Sequence, residues 1–186
     1  MISVRKIPTF CLRDGLTDLE YWAGRYPAED DQPVEDLVAS VRKRGFLTKG
    51  NLHVVGLWKA ARSARYLDRN KEAYVRDVTA IAFLEKSEQL RIEVLTLLHG
   101  VGWPTASVLL HWFHEDDYPI LDFRALWSLS VDKPPSDYWF DFWSAYVKKC
   151  RSLAKQYNVD MRTLDRALWQ YSKENQPPSR SGGPPK

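Results

Sequence analysis

Leu97-Leu98-His99-Gly100-Val101-Gly102-Trp103-Pro104-Thr105-Ala106 is the stretch on which the reading of this chain turns. Leu90, Val94, Leu97 and Leu98 fall at i, i+4, i+7 and i+8, the spacing of one helix face. That face runs into Gly-Val-Gly, and a second apolar run opens at Pro104. Two glycines around one apolar residue permit a tight turn with positive φ. They also bring no side chain that would hold a nucleic-acid backbone away from the main chain. A helix opening at Pro104 leaves unpaired N–H groups in its first turn, and these attract phosphate oxygens. Proline suits the first helical position, because its missing N–H would have no partner there. The stretch therefore predicts helix, hairpin and helix, with the turn at Gly100 to Gly102.

Outward from the hairpin the periodicity is helical almost throughout. It predicts helices over 34–44, 52–68, 71–84, 104–113, 123–129, 137–157 and 162–173, besides the one that ends near Leu98. Strand-like alternation is scarce, with 2–12 as its best candidate. The expectation is an all-α fold of about eight to ten helices. Residues 1–174 read as one compact helical domain, and 175–186, rich in Pro, Gly and Ser, as a disordered tail.

The chain has 186 residues, enough for a real core, and carries 8 Trp, 9 Tyr and 7 Phe. Its net charge of +3 does not by itself name an anionic partner. Cys11 and Cys150 are far apart and form no metal spacing. The N-terminus has no basic-then-apolar leader pattern, and no apolar run is long enough to span a bilayer. These features predict a reduced, intracellular protein without a membrane partner.

Asp122 follows Gly102 by 20 residues, in Pro119-Ile120-Leu121-Asp122-Phe123-Arg124. With Leu98, Gly100, Val101, Gly102, Thr105 and Ala106, this spacing resembles the helix-hairpin-helix DNA glycosylase superfamily, with its endonuclease III, adenine glycosylase and alkyladenine glycosylase branches. The motif there reads Leu-x-Gly-Val-Gly-x-x-Thr-Ala, with a catalytic Asp about 20 residues after the second glycine. The resemblance implies a two-lobed helical fold that binds double-stranded DNA and turns one nucleotide out of the duplex into a cleft. Gly100, Val101, Gly102 and Thr105 would lie at the phosphate, and Asp122 would be catalytic. Breaking an N-glycosidic bond builds positive charge on the deoxyribose, and a nearby carboxylate stabilises that charge or orients water.

Two departures from the family pattern narrow the expectation. Bifunctional members carry a Schiff-base lysine two residues after the second glycine, where this chain has Pro104. The resemblance therefore implies a monofunctional enzyme without strand cleavage. Some branches hold an iron–sulfur cluster on four closely spaced cysteines, which two distant cysteines do not supply. No cofactor or metal is expected.

The stretch Arg42 to Lys71 is strongly basic. On a helix Lys59, Arg62 and Arg69 share a face with Arg65 beside them, Trp58 anchors the helix in the core, and Lys59 and Arg62 project outward toward a phosphate backbone. Asp122 also has a purely structural reading as the cap of the helix that follows. Among Trp103, Tyr118, Phe123 and Trp127, any one could wall a base pocket, although core packing is their commoner role. His114-Glu115-Asp116-Asp117 reads as a solvated loop, and Asp30-Asp31 as helix-start chemistry. The competing function is a hairpin-bearing nucleic-acid-binding protein without catalysis. An open aromatic cleft at Asp122 favours the enzyme, and a filled groove favours the binding protein.

Overall fold

Cap chemistry sets most of the helix boundaries. Asp18 accepts from the Tyr21 N–H to start α1 (Leu19–Gly24). A 3-10 turn, Ala28–Asp31, leads into α2 (Gln32–Arg44), which Gly45 ends in the left-handed conformation. Thr48 and Asn51 form a reciprocal capping box at the start of α3 (Lys49–Leu67). Then follow α4 (Glu72–Leu84), α5 (Glu88–Leu95, capped by Ser87), α6 (Trp103–Phe113), α7 (Phe123–Ser128, capped by Asp122), α8 (Phe140–Tyr157) and α9 (Met161–Asn175, capped by Asp160). A computed structural model describes residues 5–177 of the chain, without the side chains of Ala60, Arg62 and Ser63.

The described residues are all helical, as the periodicity predicts, and contain no strand. The expected strand over 2–12 does not form within 5–12. This segment instead lies along the end of α7, donating from the Cys11 and Arg13 N–H groups to the Leu129 and Ser128 carbonyls. Phe10 packs edge-on against Phe142 there. Periodicity does not predict helix α1, which is too short to show any. At the other end α9 continues to Asn175, and the predicted tail lies mostly outside the described residues. No helix among the described residues is long and apolar enough to cross a membrane.

Helix α6 is the centre of the molecule. Ala106, Val108, Leu109, Leu110, Trp112 and Phe113 are all buried, so it is covered on every side, as its nearly continuous apolar sequence demands. Trp143 of α8 stacks on Tyr118, and both are fully buried. In the loop after α6 Glu115, Asp116 and Asp117 are exposed, as their charges suggest, and only His114 turns inward. His114 is buried and its Nδ1 accepts from the Asp116 N–H, while Asp116 pairs with Arg91 at 2.8 Å.

Helix α3 is not straight. A straight helix of its 19 residues would be roughly 28 Å long. Yet Lys49 Nζ, at its start, donates to the Asp68 carbonyl just past its end, and His53 meets the Asp68 carboxylate at 2.9 Å. Gly56 sits against Ala64 and Leu67. The helix therefore bends back on itself between Gly56 and Ala64, and Lys59 lies in the bend.

Candidate active site and nucleic-acid interface

The turn between α5 and α6 rests on the end of α3. Asn70 is buried, and its side chain donates to the Leu67 and His99 carbonyls and accepts from the His99 N–H. Gly100 has φ +80, which disfavours any residue with a Cβ. A Cβ there would also stand 2.9 Å from Tyr66 Cβ and 3.2 Å from the Leu67 nitrogen. Gly100 is thus fixed by its contact with α3. Gly102 is different: an added Cβ would meet nothing nearer than Pro104 Cδ at 3.8 Å. Its missing side chain leaves open space outside the turn.

Gly102 caps α6 without any side-chain hydrogen bond, and the helix begins at Trp103, one residue earlier than expected. Pro104 takes the second helical position. The Trp103 and Thr105 N–H groups lie in the first turn, where helix geometry provides no acceptor. Val101 is buried, and its N–H donates to the Leu98 carbonyl, so it closes the turn and is not free for a ligand. Arg65 and Arg69 both stack on the Tyr66 ring, beside Gly100, and both are exposed.

Gly100→Ala is expected to destabilise the fold by about 1–2 kcal/mol from backbone strain, before the clash with Tyr66 is added. Gly102→Ala should leave unfolding in urea unchanged within about 0.5 kcal/mol. Equal destabilisation by the two substitutions would contradict these distinct roles.

The segment leading to Asp122 is held from three sides. The Leu121 N–H donates to Ser107 Oγ of α6 at 2.8 Å, the Tyr146 hydroxyl of α8 donates to the Ile120 carbonyl at 2.8 Å, and the Ile120 N–H donates to Asp165 Oδ1 of α9 at 3.3 Å. At its end Asp122 Oδ1 accepts from the Arg124 N–H at 2.9 Å, capping α7. Its other oxygen, Oδ2, accepts from Lys59 Nζ at 2.6 Å. The two side chains are only 16% and 14% exposed. Burial alone would lift the Asp122 pKa, but the Lys59 ammonium outweighs it and holds the carboxyl below its usual range. Asp122 is charged at neutral pH.

Asp122 and Lys59 line a cleft of about 640 Å³. Its aromatic walls are Tyr26, Trp58 and Trp169, and Leu57, half exposed, stands at its edge. The polar floor includes Arg162 and Asp165. Arg162 lies over the rings of Tyr26, Trp58 and Trp112, bonds both oxygens of Asp31 and reaches Asp165 at 2.5 Å. Burial pushes Asp165 up to about 6 in spite of that partner.

Several expected site residues stand elsewhere. Lys59 does not project outward with Arg62 and Arg69, because the bend in α3 turns it onto Asp122. The Arg62 side chain lies outside the described residues. Arg42 binds the Trp112 and His114 carbonyls and so belongs to the packing of α2 on α6. Tyr118, Trp103 and Trp127 pack in or against the core, and none of them, nor Phe123, lines the cleft. Asp31 does not cap α2 with its side chain. It is fully buried and bound by Arg162, Arg166 and Tyr26. Local sequence carried no signal for the walls that do form, since Tyr26, Trp58 and Trp169 come from three distant parts of the chain. Among the described residues no group of three His, Cys, Asp or Glu could hold a metal.

Comparison of the chain with family models, with curated proteins and with solved structures finds no match.

Proposed function

We propose that this protein is a DNA glycosylase that binds double-stranded DNA and hydrolyses the N-glycosidic bond of a damaged or modified base. The observation that carries this reading is Asp122, charged and rigidly held, in an open cleft with aromatic walls. A volume of about 640 Å³ falls within the roughly 300–1,000 Å³ of small-molecule sites. A filled groove would have favoured a binding protein without catalysis.

In this reading the hairpin holds a phosphate at Gly102, Trp103 and Thr105, and Arg65 and Arg69 add charge beside it. The target nucleotide turns out into the cleft, where Tyr26, Trp58 and Trp169 offer faces for its base. The sugar lies against Asp122. The carboxylate meets the positive charge that develops as the glycosidic bond breaks, and it orients the attacking water. Lys59 and the Arg124 N–H fix it in place, so little reorganisation accompanies the reaction. Base release is a monofunctional hydrolysis: water is the nucleophile, and Pro104 leaves the hairpin without an amine.

A panel of duplexes with one lesion each, scored for alkali-labile abasic sites, tests the proposal. Abasic sites in at least one duplex are expected, and none in any duplex would refute it. Binding should also weaken steeply with salt. Neutralising Arg65 and Arg69 should flatten the slope of log K against log salt by roughly one unit for each phosphate that they neutralise. An unchanged slope would remove both residues from the interface.

A further inference from the structure

Trp169, one wall of the cleft, carries two cations. The Arg124 guanidinium, from α7, lies 5.3 Å from the Trp169 ring centroid and 5.1 Å from that of Phe123. Lys173 Nζ, from α9, lies 4.9 Å from the Trp169 centroid. Phe123 and Lys173 are exposed, and Arg124 is half-buried. The acids near the two cations are engaged elsewhere. Glu174, beside Lys173, pairs with Arg25 and accepts from Gln170, and Asp122 is held by Lys59. Among the described residues neither the Arg124 nor the Lys173 side chain has a carboxylate partner. Two like charges on one ring repel, and an anion between them relieves the repulsion.

We propose that Arg124 and Lys173 form a second phosphate site at the mouth of the cleft, separate from the hairpin. The inference rests on the reading of the cleft as a nucleotide site. A nucleotide turned out of a duplex hangs between two backbone phosphates, and the hairpin takes only one of them. The other follows the sugar toward Asp122, and Arg124 is next but one to Asp122 in the chain. A guanidinium meets a phosphate through paired N–H groups, and an ammonium adds a point charge. Drawn to that phosphate, both side chains leave the Trp169 face to the base. A nucleotide held at both of its phosphates has its sugar set against Asp122, which is positioning of the kind that a hydrolytic step needs.

The test uses the full chain and labelled duplexes with one tetrahydrofuran abasic analogue, which has no base and needs no choice of lesion. An uncharged methylphosphonate replaces the phosphate on the 5′ side or on the 3′ side of the analogue, and fluorescence anisotropy reads the affinity. One of the two replacements should cost the wild type about tenfold in affinity. The same replacement should cost the double variant Arg124→Gln, Lys173→Gln almost nothing, and the other should cost both proteins alike. The double variant should also flatten the slope of log K against log salt by roughly one unit. Circular dichroism checks its fold, and the wild-type response needs no variant. Indifference of the wild type to both replacements, or equal losses in the wild type and the folded double variant, would overturn the inference. Base release from lesion duplexes, measured in parallel, separates the two claims. Release with either of those overturning results removes this inference alone. The expected responses with no base released from any lesion leave it standing and remove the glycosylase reading.

Discussion

Asp122→Asn is expected to lower the rate of base release by about 10²–10³ or more, the usual loss when a preorganised electrostatic partner is removed from a developing charge. Asn keeps an oxygen for the Arg124 N–H, so the α7 cap survives. The negative charge is lost, and with it the partner of the sugar cation. The substitution also leaves the Lys59 ammonium, 14% exposed, without its counter-charge. A fall in stability of about 1.5–3 kcal/mol should accompany the loss of that charge-assisted bond. Adding Lys59→Met should restore most of the stability, because it removes the orphaned charge, and should restore none of the rate. Urea unfolding and single-turnover base release, measured on both variants, check the two halves. Undiminished release by Asp122→Asn would refute the catalytic role.

Asp31→Asn is expected to destabilise the fold by about 3–5 kcal/mol, the range for breaking a buried ion pair from one side. Asp31 is fully buried and binds Arg162 and Arg166 together, 131 and 135 residues away. Its loss leaves two partly buried guanidinium groups without a carboxylate between them. It also frees Arg162 and Tyr26, both of which line the cleft. The same group makes stability depend on acid. Burial would raise the Asp31 pKa, but hydrogen bonds and charge from Arg162 outweigh it, and the net pKa lies below the usual value. The stabilisation is therefore complete above the unfolded-chain pKa, roughly 3.9. It is lost as pH falls through the lower folded value. Denaturant unfolding at pH 7 and at successively lower pH should show the wild type losing stability below pH 4. Asp31→Asn should lose less over that window. Parallel curves for the two proteins would contradict the assignment.

What the sequence made legible was local. The turn at Gly100 and Gly102 and the Asp122 cap depend on residues within a few positions of one another. Spacing and cap chemistry suffice to place them. The helix before the turn stops at Leu95, short of Leu98, and Leu90 and Leu97 of its expected apolar face are exposed. The cleft depends on distant pairings. Asp31 looks like a helix-start acid in its local context, and only the return of α9 past it supplies Arg162 and Arg166. Lys59, read on a straight helix, falls in line with Arg62 and Arg69, and the bend in α3 breaks that line. Trp169 and Tyr26 meet edge to face at 5.4 Å although 143 positions apart, and no periodicity reports such a pairing. Gly100 illustrates a subtler gap. The sequence marks it as a tight turn, but the neighbour that excludes a side chain is Tyr66, at the end of another helix.

The proposed base excision at Asp122 can be tested without any prior choice of lesion. DNA that has been alkylated, deaminated or oxidised in bulk is incubated with the protein, and the free bases released are identified by mass spectrometry against Asp122→Asn as the control. At least one base should be released by the wild type, and its release should fall to background with Asp122→Asn. No base released by the wild type, or equal release by both proteins, would contradict the glycosylase reading.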